Sequence, residues 1–270
     1  MRQIYRVLVT LLEDRKARLL SFLIMVIMAS SGYGFEMPVT SDYAEGSYHC
    51  LEKDSGTERW RVDWRMEKVQ KDGEIILEIK EHGYGVYGNQ EEKISWSMET
   101  FLEYGDSLQT ICSRKEIRNI EEEAIEIVSK KFDVVQGTVE FERTDLISDK
   151  VYSHSFEPGS TVIGPDNIAL ALQGTDIAEG YKTDFYLCTD EPKLYEVTAK
   201  CLRKEKIVAA GKEVECYKVE IIFHLGLWKI FVPKTYFWYT ADEPHNWIRY
   251  EGLESGRGTP QVVMEVLDFQ

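Results

Sequence analysis

Gly83 to Gly88 read GYGVYG and match the GxGxxG spacing, which lets a backbone turn hug a phosphate at a helix N-terminus. That chemistry needs a strand before the glycines, a long helix after them and a βαβ frame. A strand fits before them, but NQEEKISWSMETF is a weak helix pattern and no parallel frame follows. The run reads instead as a glycine-rich bend between strands, with Tyr84 and Tyr87 as packing residues. The histidines are His49, His82, His154, His224 and His245, and none has HxxxH spacing. His49 and Cys50 are adjacent, so on a strand they point to opposite faces and cannot chelate one ion together. No GxSxG elbow exists, and acidic groups such as EEK and TDEPK read as a solvated face. A hydrolase would need a cleft that gathers His245, Asp242 or another acid, and a nucleophile such as Cys216. The residues call for no metal and no cofactor.

Cys50, Cys112, Cys188, Cys201 and Cys216 form no CxxC pair, which removes the zinc-ribbon and thioredoxin signatures. An odd count leaves at least one thiol free, and single small core residues explain the rest equally well. Cys201 and Cys216 lie on neighbouring strands of a hairpin turning near Val208–Gly211. They can bridge if the turn centres near Val208-Ala209, because a disulfide needs Cα atoms within about 7 Å. If Gly211 is central, the register slips and they miss.

The elements that carry these residues are strands. RWRVDWRMEKV alternates, with Trp60, Val62, Trp64 and Met66 facing one way and Arg59, Arg61, Asp63, Arg65 and Glu67 the other. Period two means a sheet with one buried face. Lys71-Asp72-Gly73 turns this strand into EIILEI, and Gln136-Gly137 turns a second hairpin. NIEEEAIEIVSKK fits a strand or one face of a helix equally well. One short helix is expected near 165–173, with Pro165 at its start and Gly174 as its stop. Strands resume to the C-terminus. Consecutive hairpins without βαβ spacing give a mainly β protein, a single antiparallel meander over residues 35–270.

PKTYFWYTADEPHNWIRYEG, Pro233 to Gly252, is one such hairpin. Thr235, Phe237 and Tyr239 share one face and Tyr236 and Trp238 the other, with the turn at ADEPH. In a curved sheet the concave face would carry one alternating aromatic set from several strands. Trp60 with Trp64, and Tyr236 with Trp238, are the candidates to line a groove for an apolar ligand. Ordinary core packing is the competing reading of the same rings.

The N-terminus sets location. Arg15, Lys16 and Arg18 precede Leu19 to Ala29, an apolar run of 11 residues, and then the small residues SSGYG. This order makes residues 1–34 a signal peptide, cleaved after Ser31 or Gly34, with an uncleaved anchor as the alternative. The run is short for a membrane span of about 20 residues. Removal of five basic and two acidic residues would move the net charge from −15 to −18. Such a chain repels phosphate backbones and anionic lipid, so nucleic acid is not an expected partner. The expected location is periplasmic or otherwise exported.

From about Gly159 onward the order of features resembles the bacterial envelope family called domain-of-unknown-function family 3108. DNIALALQ, Gly180, LYEVTAKCLRKEKIVAAGKEVECYKVEI, FWYT and IRYEG carry the resemblance over roughly 110 residues, with AAGKEVECYKV the most specific part. The tail ESGRGTPQVVMEVLDFQ and the cysteine count depart from it. The resemblance implies an exported, strongly curved sheet or open barrel and no reaction. Together with the residues it gives a non-enzymatic binding or carrier module for a lipid-like or other apolar ligand. The alternatives are a structural partner in an envelope complex, which a flat apolar patch would mark, and a hydrolase.

Overall fold

The computed structural model describes residues 35–36, 42–71, 73–105, 107–133, 135–158, 161–226 and 232–268. The signal-peptide expectation for residues 1–34 lies outside them.

The strands run β1 (Phe35–Glu36), β2 (Tyr43–Glu52), β3 (Glu58–Lys71), β4 (Glu74–Gly85), β5 (Ile94–Glu103), β6 (Ser107–Arg118), β7 (Ala124–Asp133), β8 (Thr138–Asp145) and β9 (Lys150–Phe156). After the two-residue β10 (Val162–Ile163) come a 3₁₀ turn (Pro165–Asn167) and α1 (Ile168–Gln173). The chain then forms β11 (Lys182–Cys188), β12 (Leu194–Ala209), β13 (Lys212–Phe223), β14 (Thr235–Thr240), β15 (Trp247–Leu253) and β16 (Gln261–Val266). Ala124–Asp133 is a strand, with Val128, Lys130 and Phe132 buried on alternate positions. The stretch after GYGVYG is also a strand, because Ile94, Trp96, Met98, Thr100 and Leu102 are all buried at period two.

All sixteen strands belong to one sheet, ordered β10-β11-β12-β13-β14-β15-β16-β2-β3-β4-β5-β6-β7-β8-β9, with β1 alongside β6. Only β10 and β11 are parallel, a departure from a pure antiparallel meander. The last strand pairs with the second, Val266 opposite Tyr48, so the two halves of the chain meet in mid-sheet. The two ends of the order do not pair, so the sheet is unclosed. It is nevertheless curved. Leu77, Leu102 and Leu108 share one core with Phe185, Val197, Val219 and Phe237, which lie many strands away. Ile168, Ala171 and Leu172 of α1 are buried in the same core. Among the described residues no helix is long and apolar enough to cross a membrane.

The β12–β13 hairpin turns on Ala210 (φ 46°) and Gly211 (φ 73°), a pair of left-handed residues as a two-residue hairpin loop requires. Ala209 therefore stands opposite Lys212. That turn alone places Cys216 opposite Glu205, and a register shift between Cys201 and Arg203 places Cys201 opposite Val219. The two cysteines enter different clusters, and all five cysteines are free thiols. The expected Cys201–Cys216 bridge is corrected on this ground.

Candidate functional site

The inner wall is built from glycine–tryptophan pairs. Gly46 stands opposite Trp64, Gly85 opposite Trp60 and Gly83 opposite Trp96. A Cβ on Gly83 would lie 2.1 Å from the Trp96 indole, and one on Gly46 would lie 3.0 Å from Trp64. Within GYGVYG, Gly83 is thus a seat for an aromatic ring and Gly85 lets the chain pass close against the Arg59–Trp60 backbone. Trp60 and Trp96 meet edge to face at 5.6 Å, Tyr48 meets Trp60 at 5.9 Å and Trp247 at 5.5 Å, and Tyr87 completes the ring set against Trp96 at 5.2 Å.

Charged groups lie beneath these rings. Lys115 of β6 and Lys130 of β7 are 7% and 3% exposed, values uncommon for lysine without a partner. Both donate to Asp190 in the β11–β12 connection, Lys130 Nζ to Oδ1 at 2.5 Å and Lys115 Nζ to Oδ2 at 3.2 Å. Lys115 also lies over the Tyr87 ring at 4.5 Å. Asn167, 2% exposed, donates Nδ2 to Thr110 Oγ1 at 3.3 Å and fixes the 3₁₀ turn on the inner face of β6. That turn brings Asp166 into the same group, where its charge acts on both lysines and on Asp190. Glu81 of β4 accepts from the Tyr48 hydroxyl at 3.3 Å.

Burial disfavours charge on every member, and the partners decide the outcome. It works against ionised Asp190, yet Lys130 and Lys115 outweigh it and hold the carboxyl well below the usual range. Burial alone would lower Lys115, but Tyr87, Asp190 and Asp166 more than offset it, so Lys115 stays charged. Among the described residues no cation forms an ion pair with Glu81, and Lys115 acts on it from farther off. Burial, with Asp166 adding, pushes it up to about 8 against the pull of Lys115 and the Tyr48 hydroxyl. Both lysines are therefore held as cations, unsuited to act as nucleophile or Schiff-base amine, and Glu81 is shifted toward its protonated form near neutral pH. The group joins β6 and β7 to the β11–β12 connection, across the unclosed part of the sheet.

Glu81 makes stability depend on pH. Its folded value near 8 exceeds the ordinary 4.5. Between those values the folded state keeps a proton that the unfolded chain has lost, so the contribution of Glu81 falls as pH rises through that window. Glu81→Gln removes this dependence. The variant should match the parent near pH 4.5, gain on it as pH rises, and lead by on the order of 3 kcal/mol above pH 8. Urea unfolding across pH checks this, and parallel stability profiles would refute it.

The four ring candidates do not form one set. Trp60 is buried among the inner rings, and Trp64, half-buried, bridges the two inner clusters. Tyr236 and Trp238 alternate with Phe237 and Tyr239, which belong to the inner core, and so they face the other side of the sheet. There Trp238 Nε1 donates to Glu205 Oε1 at 2.8 Å, and Lys218 lies over both rings at 4.2 and 4.6 Å. The sheet does not bring Trp60 and Trp64 together with Tyr236 and Trp238.

The hydrolase set is not assembled either. Cys216 is buried, which with Glu205 and Glu215 pushes its thiol up to about 11. Its Sγ contacts Val214 O at 3.8 Å, while His245 Nδ1 is engaged with Thr240 O at 2.9 Å. Two depressions stand out among the described residues. One, about 340 Å³, is lined by Phe101, Cys112, Lys131 and Glu140, and the other, about 480 Å³, by Lys212, Glu215, Asp242 and Pro244. Neither borders the four ring candidates. Among the described residues no three His, Cys, Asp or Glu side chains converge as metal ligands would.

No protein-family model matches this sequence, so the resemblance to family 3108 stands without that support. No curated protein matches it. Solved structures that match in part include a Bacteroides fragilis protein with a YmcC-like fold, 9% identical, with a TM-score of 0.32 over 88% of this chain and 99% of that one. The hypothetical lipoprotein YmcC of Escherichia coli is 10% identical, with a TM-score of 0.32 over 85% of this chain and 90% of that one. Likeness at this level says nothing of ligand, activity or location.

Proposed function

We propose that this chain is an exported, non-catalytic interaction protein of the cell envelope, a structural partner that docks through the β8–β9 end of its sheet. One observation carries the reading. Among the described residues, Leu146, Ile147, Val151 and Tyr152 are exposed apolar side chains within seven positions, at 41, 78, 60 and 46%. They lie on the turn and on both faces of the edge strand, since consecutive Val151 and Tyr152 point opposite ways, and an apolar fringe at one end of a sheet favours a protein contact there. The turn that presents it is built. Asp145 accepts from the backbone of Ile147 and Ser148 and from the Ser148 hydroxyl, so Ile147 is held outward by structure. A photo-crosslinking residue at Ile147 or Val151 should form protein adducts in cells, and one at Val208, an exposed apolar residue on another hairpin, should not. No adduct from either patch position would refute the reading.

A carrier of an elongated apolar ligand is the second reading. It is favoured by half-buried Trp64, which spans both inner clusters. Trp64→Ala should then weaken uptake of a fluorescent fatty-acid analogue, and no uptake by the parent would remove the carrier.

A further inference from the structure

The two ends of the sheet are finished differently. β10 is two residues long, a short edge that offers little to pair with. β9 is seven residues, KVYSHSF, and among the described residues pairs only with β8. Lys150 at its start is its one charged guard. The strand holds no proline or glycine, its register with β8 is continuous from Val139–Phe156 to Asp145–Lys150, and every residue but Phe156 is exposed. The inner face also runs on uncovered. His154 stands opposite buried Phe141, and Tyr152 opposite Arg143.

We propose that β9 pairs antiparallel with β9 of a second copy of this chain, about a twofold axis at Ser153. The inference rests on the interaction reading above and names its partner. Charge selects that partner. The chain carries a net charge of −15, yet Lys150–Phe156 contains no carboxylate. Two copies can meet along these seven residues without facing acids between them. The twofold register is also self-complementary. It sets Tyr152 against His154 twice, Lys150 against Phe156 twice, Val151 against Ser155 twice, and Ser153 against itself. Lys150 over Phe156 is a cation–π pair, and His154 already stacks on Phe156 at 5.8 Å within one copy. Residues opposite each other share a face, so both faces continue across the axis. Glu142, opposite Ser153, is the nearest outer-face acid. Its counterpart lies three strand spacings away, about 14 Å, beyond a Debye length of about 8 Å. Asp149 and Glu157 oppose each other only at the two ends of the strand. Closed twofold pairing uses up both edges and does not propagate.

Analytical ultracentrifugation of the purified protein tests this at 50 mM and 500 mM salt. A monomer–dimer equilibrium is expected, with association stronger at the higher salt. Tyr152→Glu with His154→Glu places carboxylates opposite each other and should lower the association constant at least tenfold without a change in Tm. Tyr152→Lys with His154→Lys should do the same, and an equimolar mixture of the two variants should restore dimers. A parent that stays monomeric at millimolar concentration and high salt overturns the pairing, as does a dimer unaffected by either variant. If the parent is monomeric while Ile147 still crosslinks to another envelope protein, the self-pairing fails and the interaction reading survives. Absence of both signals removes the two together.

Discussion

Glu254→Ala is expected to lower the unfolding free energy by about 3–5 kcal/mol, the range for breaking a buried ion pair from one side. The Glu254 side chain is fully buried and that of Arg59 is 14% exposed. Arg59 donates Nε to Oε1 at 2.9 Å and Nη2 to Oε2 at 3.1 Å, a bidentate grip. The Trp60 indole donates to Oε1 at 2.6 Å, and the Cys50 thiol approaches it at 3.9 Å. One carboxylate in the β15–β16 connection therefore ties down β2 and β3, where the two halves of the chain meet. Alanine leaves the guanidinium with only the Gly88 carbonyl, 2.8 Å from Nη2, and the indole N–H without its acceptor. Glu254→Gln keeps an acceptor for Trp60 but not the charge, so it should fall between alanine and the parent. Urea titration measures all three proteins, and a loss below about 1 kcal/mol for alanine would show that water replaces the carboxylate there.

Gly83→Ala is expected to cost about 3 kcal/mol, the upper part of the range for overpacking a core. The added Cβ would lie 2.1 Å from two atoms of the Trp96 indole. Trp96 is 4% exposed and held between Trp60 and Tyr87, so it has nowhere to retreat. Trp96→Leu in the same background should recover part of the loss, because the two changes share one contact and cannot add. Gly105→Ala serves as the control. Nothing lies within 4 Å of its Cβ position, and its effect should stay within about 0.5 kcal/mol. Equal losses at both positions would mean that the glycine–tryptophan seat is not the cause.

Local pattern carried much of the fold. The alternation of Trp60, Val62 and Met66 marked a buried face, and the turn near Gln136-Gly137, the helix near 165–173 and the aromatic hairpin from Thr235 all lie where residue types alone place them. These features depend on residues a few positions apart, where period, turn chemistry and helix stops are decided. The candidate site depends on pairs far apart in sequence. Asp190 meets Lys130 across 60 positions and Lys115 across 75, and Glu254 meets Arg59 across 195. One signal was present: Lys130 occupies an inward position between Val128 and Phe132, and a lysine there implies a buried anion without naming it. Alternation likewise showed that Tyr236 and Trp238 share a face, but not that it is the opposite one from Trp60 and Trp64. Strand register made that choice, setting Phe237 and Tyr239 in the core with α1 and so turning Tyr236 and Trp238 to the other face. For the cysteines the place of the turn decided most of the matter. A turn on Ala210-Gly211 and one bulge after Cys201 set which residues oppose each other, since shifting a strand by one position sends every side chain to the other face.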